Sequence, residues 1–254
     1  KARESSDRNK SRKRKKSFNL NVKPDLNFGQ DLNQYHDSNN YEDIETVVDI
    51  KIKLDQISNN TDIEDSRYDR DKAVEYAVKW SDPEQNGKLY NKEYERFDDP
   101  LGFILSLGRE AGDCANYVSQ CLVAGGIEMN SDWHYYPEKI KMFRIREPRK
   151  MTSTWASANA QYEYFSNKDN GYSVGTITIN SPQEIRSIAN RGVVQKGDLA
   201  YWDWKSDGRA NHATIITDVK NGVILYGGHT KDRQYADMED MMEEINSIYI
   251  VRMK

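Results

Sequence analysis

From Leu199 to Arg252 apolar and polar side chains alternate with a period of two, interrupted by turn residues. Leu199-Ala200-Tyr201-Trp202-Asp203-Trp204 predicts a strand, Ser206-Asp207-Gly208 a turn, and His212 to Val219 the next strand. Asn221-Gly222 is a strong two-residue hairpin signal, and Val223 to Gly228 returns from it. Ser247 to Arg252 closes the chain as a last strand. Upstream the period is helical. Tyr68, Ala73, Tyr76, Ala77 and Trp80 share one face, with Ser81-Asp82-Pro83 as the stop. The stretch beginning at Cys114 reads as a second helix, capped by Asp113 and ended by Gly125-Gly126. Ser153 or Thr154 opens a third, running from Trp155 to Phe165 and placing Trp155, Ala158, Tyr162 and Phe165 against the sheet. Helices first and antiparallel strands after predict an α+β domain over 66–254.

The remainder is less regular. Ile44 to Leu54 alternates as a half-buried strand and is followed by the linker-like Ser58-Asn59-Asn60-Thr61-Asp62, so 41–65 reads as a strand-like extension and linker, the strand being either an added edge of the main domain or the remnant of something upstream. Residues 127–150 show no period and predict a long surface loop; loops of that length tend to be functional, which makes Trp133 a substrate-binding candidate. Tyr90, Tyr94 and Phe97 read for the most part as core aromatics, with the lining of a groove as the alternative.

Charge changes the picture at the N-terminus. Residues 1–16 hold nine Lys or Arg against Glu4 and Asp7, a local net of +7 within a total of −4, leaving −11 for the rest. An acidic body argues against nucleic-acid binding by the folded part. The basic, apolar-poor segment 1–40 is expected to be disordered, either a solvated tail or an arm for anionic polymers or membrane surfaces. No apolar run approaches the roughly 20 residues of a membrane span, and no signal-peptide core is present. The chain opens on Lys, which reads as a processed or trimmed product, so a missing signal peptide does not argue against export.

Two cysteines carry the candidate chemistry. Cys114 falls in the first turn of its helix, where unpaired N–H groups and the positive dipole end favour a thiolate, which makes it a candidate nucleophile. Cys121 lies mid-helix among Val118, Leu122 and Val123 and reads as core. Seven helical residues separate the two by roughly 10 Å, beyond disulfide reach. With Asn221-Gly222 as the turn, Lys220 faces Val223, and the same register makes Thr214 face His229. His212 then lies diagonal to His229 on one face, with backbones about 7–8 Å apart, provided the register does not slip. A helix-terminal thiol, a histidine opening a strand and a second polar group beyond it suit a cysteine hydrolase. Cys114 is the nucleophile, His212 the acid/base and His229 the orienter, with Asp232 in reserve. Backbone N–H groups at Asp113 and Cys114 would hold the oxyanion. His36 and His134 receive no role.

Gly112-Asp113-Cys114-Ala115-Asn116-Tyr117-Val118-Ser119-Gln120-Cys121-Leu122, with Gly125-Gly126 after it, resembles the signature of the bacterial putative amidase domain family, related to the papain-like NlpC cell-wall peptidases. Tyr68 to Ala77 resembles the family's opening helix, Thr154-Trp155 its middle aromatic helix, Gly197-Asp198 the strand before the histidine, His212 that histidine, and His229-Thr230-Lys231-Asp232 its His-Thr-x-Asp element. Ala115 stands where the family more usually has Thr or Ser. The resemblance covers about 66–254. It implies a papain-like fold, with a cysteine helix packed on a C-terminal antiparallel sheet and Cys114, His212 and His229 in catalytic roles, in secreted or wall-associated proteins of Gram-positive bacteria.

The resulting expectation is a cysteine hydrolase that cleaves amide bonds in the peptide part of peptidoglycan, without metal or other cofactor. Two rivals stay open: a zinc hydrolase with Cys114, His212 and His229 as ligands, and a catalytically silent wall-binding module in which Trp202, Trp204 and the basic tail hold polymer. In the enzyme reading Trp202 joins Trp133 as a substrate contact. The same acyl-enzyme would also serve transfer to an amine.

Overall fold

The computed structural model describes residues 67–85, 87–98, 112–136, 150–242 and 244–254, all within the unit 44–254. The basic segment 1–40, the extension 41–65, the stretch Leu101 to Leu107 and most of the predicted loop before Lys150 lie outside the described residues. The helices are α1 (Arg70–Trp80), α2 (Cys114–Ala124), α3 (Ser153–Ala156), α4 (Ala158–Ser166) and α5 (Pro182–Asn190). The strands are β1 (Tyr135–Tyr136), β2 (Lys150–Met151), β3 (Ser173–Ile179), β4 (Leu199–Asp203), β5 (His212–Lys220), β6 (Val223–Gly228), β7 (Arg233–Asp237) and β8 (Ser247–Met253). Six of them form one antiparallel sheet in the order β3-β8-β4-β5-β6-β7, and β1 pairs with β2 as a separate ribbon.

The expected α+β arrangement of helices packed on an antiparallel sheet is present. Five elements go beyond the sequence reading: the paired β1 and β2, then β3, β7 and α5, the last opened by Ser181, whose hydroxyl accepts from Glu184 N, with Pro182 at its first position. The single helix expected from Trp155 to Phe165 is two, because Ser157 takes an extended conformation between α3 and α4.

Alternation along the strands builds two cores. Leu199, Tyr201, Ala213, Ile215, Val251 and Met253 face α1, α2 and α4. Ala200, Trp202, Ile216, Ile224, Tyr226, Ile248 and Ile250 face α5 and the Met238–Ile245 segment. The position of α2 is fixed at its far end. Asp69 N donates to Gly125 O at 2.7 Å, and a Cβ on Gly125 would lie 2.5 Å from the ring of Tyr68, so only glycine lets the chains meet there. Tyr68 Oη donates to Gly197 O, and Arg70 reaches Asp198 and Met253 O, tying the same corner to the sheet.

The hairpin turn is where the sequence places it, but the register is not constant. Lys220 pairs with Val223, Val219 with Ile224 and Asp218 with Leu225; past Thr217 the ladder continues as Ile216 with Tyr226 and Ile215 with Gly227. Thr217 is a β-bulge, one extra residue on β5. Continued, this register sets Thr214 opposite Gly228 instead of His229, and a slip of one residue reverses the face of every side chain beyond it. The predicted sharing of a face by His212 and His229 is therefore corrected. A Cβ on Gly228 would meet Thr214 Cγ2 at 3.1 Å and His212 Nε2 at 3.8 Å, whereas His229 stacks on Tyr117 of α2 at 4.1 Å between centroids.

Candidate active site

The cysteine helix is built to be held at its N-terminus. Asp113 occupies the cap position, yet its carboxylate makes no bond to a first-turn amide of α2. Its Oδ1 accepts from Phe97 N and from Asn116 Nδ2, each at 2.8 Å, and its Oδ2 meets His229 Nδ1 at 2.5 Å. Asn116 Oδ1 accepts from Trp155 Nε1 at 2.7 Å, and Ser119 Oγ accepts from Trp133 Nε1 and Gln161 Nε2. The inward polar residues of α2 are thus satisfied by four separate segments, as buried polar groups require.

His229 uses both ring nitrogens. Nε2 lies 2.7 Å from Trp80 O at the C-terminus of α1, and because a carbonyl only accepts, Nε2 carries its hydrogen. Nδ1 then faces a carboxylate oxygen, and the contact needs a proton that one of the two partners holds. His229 is not brought to His212 as its orienter: its two nitrogens are engaged by Asp113 and by Trp80 O, and its ring lies on Tyr117 of α2. Asp232, the reserve orienter, is also engaged. Arg96 donates to its two oxygens at 2.7 and 3.2 Å, and Gly87 N donates to Oδ2.

Cys114 is nearly buried, at 7% exposure. Beyond Gly227 the β5–β6 ladder ends, and the amide of Ala213, next to His212, lies against the Cys114 sulfur together with the amide of Ala115. Burial pushes the thiol up to about 11; those amides act against the shift and the Asp113 carboxylate adds to it. The thiolate stabilisation expected from the helix dipole is therefore outweighed by desolvation. The amide of Asp113, expected among the oxyanion donors, is already given to Thr230 Oγ1 at 3.0 Å. The Cys114 amide is the other expected donor.

His212 opens β5 opposite Trp202. Burial pulls its imidazole down to about 4, and no other group moves it. Its ring stands edge-on to that of Trp204, at 5.9 Å and 84°. Thiol and imidazole are thus both neutral across the intervening range. Alkylation of Cys114 by iodoacetamide should accordingly climb about tenfold per unit between roughly pH 6 and 10, following the scarce thiolate. A fast, pH-independent rate from pH 5 upward, followed by mass spectrometry of the labelled peptide, would instead reveal a resting thiolate–imidazolium pair.

Both tryptophans predicted to touch substrate are interior. Trp133 is fully buried against Trp155 and Phe165, and Trp202 is buried with Nε1 donating to Thr214 Oγ1 at 2.8 Å. Each indole N–H finds an internal partner, which is what a core tryptophan needs. Cys114, His212 and His229 do not converge as metal ligands, since both nitrogens of His229 are engaged. Among the described residues no helix is long and apolar enough to cross a membrane.

The sequence reading does not single out Thr230. Its φ is +78°, rare for a β-branched residue, and it is held by the bond from Asp113 N. Asn116, Ser119 and Gln120 were visible as a polar stripe beside Asp113 on an otherwise apolar helix.

A cysteine in the first turn of a helix, set against the opening of a histidine-led strand in an α+β domain, has the layout of an acyl-transfer site. The profile of the Putative amidase domain family matches residues 67–252, and the chain belongs to that family. Membership points to amide hydrolysis in general. Uncharacterized protein YhbB of Bacillus subtilis (strain 168) is 27% identical over 177 residues, covering 68% of this chain and 46% of the relative, so the chain spans about half that protein's length. No solved structure matches.

Proposed function

We propose that this protein is a cysteine-dependent amidase with a papain-like arrangement, in which Cys114 is the nucleophile and His212 the general acid/base. The observation that carries the reading is the contact of the Ala213 amide with the Cys114 sulfur, which sets the thiol of α2 beside the first residue of β5. His212 takes the thiol proton as sulfur attacks the carbonyl carbon, then delivers it to the departing nitrogen. Water, deprotonated by His212, opens the thioester and releases the acid and free enzyme. The Cys114 amide at the helix start receives the oxyanion. The Asp113–His229 pair serves this chemistry from behind, by holding the first turn of α2 in place.

The resemblance of the cysteine motif to cell-wall peptidases directs the choice of substrate to amide bonds in the peptide part of peptidoglycan, and of place to the wall or the exterior. The basic residues of 1–16 suit an arm that holds an anionic wall polymer. A digest of purified peptidoglycan with the wild type and with Cys114→Ala, followed by mass analysis, tests the reading. Fragments bearing one added water from the wild type alone support it. Equal release by both proteins would remove Cys114 from the mechanism, and release from simple peptide amides but not from the wall would remove the substrate class.

A further inference from the structure

Four large apolar side chains are markedly exposed among the described residues: Tyr136, Met151, Trp204 and Tyr235. Single exposed aromatics are ordinary on protein surfaces. Trp204 differs by its neighbour and its mounting. Its indole, 43% exposed, stands edge-on to the ring of His212 at 5.9 Å. The loop that carries it is braced from within. Asn211 Oδ1 accepts from Trp204 N and Lys205 N, while the buried Asp203 carboxylate accepts from Lys205 N, Asp207 N, Gly208 N and Tyr249 Oη. Asn211 N in turn donates to Trp202 O at 2.8 Å. A loop braced this firmly holds the backbone that presents the indole, so little backbone freedom is lost when something stacks on it.

We propose that Trp204 is a specificity-determining residue, forming a subsite for an apolar or ring-bearing group attached to the nitrogen of the scissile amide. This deepens the amidase reading and rests on Cys114 and His212 as the catalytic pair. The direction follows from the chemistry. The carbonyl oxygen of a bound amide turns toward the start of α2, and the departing nitrogen must reach His212 for its proton. A group carried on that nitrogen therefore extends past His212, where the open face of Trp204 lies. A flat apolar surface favours rings and alkyl chains over a bare primary amide.

Iodoacetamides whose nitrogen carries hydrogen, butyl or benzyl probe this without knowledge of the natural substrate. Rates of Cys114 labelling at pH 9, located by mass spectrometry and divided by each reagent's rate with free cysteine, give a benzyl-to-unsubstituted ratio for each protein. The expected ratio is about tenfold for the wild type, falling to within about twofold of unity in Trp204→Ala and partly kept in Trp204→Phe. Because the ratio is taken within one protein, a general loss of reactivity cancels. A wild-type ratio near one, or one that Trp204→Ala retains, would overturn the inference. Failure of every reagent to label Cys114 would instead overturn the catalytic reading, and this inference with it.

Discussion

Cys114→Ala should lower amide hydrolysis by about 10⁴-fold or more while leaving a folded protein, because the thiol supplies the bond-forming atom but little of the scaffold. The sulfur is not what holds the start of α2. That work falls to Asp113 through Phe97 N, Asn116 and His229, and at the far end to the close approach of Gly125 and Tyr68. Removing one sulfur atom from a small side chain should cost about 1 kcal/mol of stability or less by denaturant titration. His212→Ala should fall nearly as far in rate, by about 10³-fold, and the double variant should be no slower than Cys114→Ala alone, since a proton acceptor without its nucleophile has nothing to serve. Residual activity above a few per cent in Cys114→Ala would sink the assignment. So would a double variant whose losses multiply, which is the behaviour of two independent contributors.

How much of this was legible in the chain depends on which interactions set each element. β4, β5, β6 and β8 follow their own period of two, and the hairpin follows Asn221-Gly222, because local side-chain patterning and a positive φ at two residues decide them. Helix α2 is legible for the same reason, from its apolar run and the glycines after it. The bulge at Thr217 is not. Ile215-Ile216 and then Thr217-Asp218 break the alternation, but a doublet of apolar residues is also what a strand covered on both faces shows, so the pattern does not reveal which residue is extra. That one residue sets Gly228 in place of His229 opposite Thr214, and with it removes the predicted partner of His212. The fate of Asp113 was hidden for a related reason. An aspartate before a helix is a cap by local rules, and only tertiary packing brings Phe97 N, Asn116 and His229 to it instead. Burial misleads likewise at Trp133 and Trp202: loop position and aromatic character suggest a surface contact, while the internal acceptors Ser119 and Thr214 are visible only in three dimensions.

His229→Ala should destabilise the protein by about 3–5 kcal/mol, the cost of removing one member of a fully buried, hydrogen-bonded pair. Both side chains are 1% exposed, so the lost ring leaves a buried gap, and the Trp80 carbonyl and the face of Tyr117 lose their partner at the same time. Asp113 keeps two donors, Phe97 N and Asn116 Nδ2, which places the expected loss toward the lower end of that range. Asp113→Asn combined with His229→Gln should cost less than the two single changes added, because each single change leaves a buried polar group facing a mismatched partner while the double variant again pairs an amide with an amide; urea titration of the four proteins gives the coupling directly. Catalysis separates this role from the one expected from sequence. A support behind α2 that has been weakened should lower thermal stability first and shift kcat only as the first turn loosens, with the acid limb of the rate profile unmoved. A triad orienter would do the reverse, cutting kcat by orders of magnitude at nearly unchanged stability and displacing the acid limb, since the pKa of His212 would lose a partner. A stability loss under about 1 kcal/mol with a collapse in kcat would therefore return His229 to the triad and require the chain around Gly228 to rearrange on substrate binding.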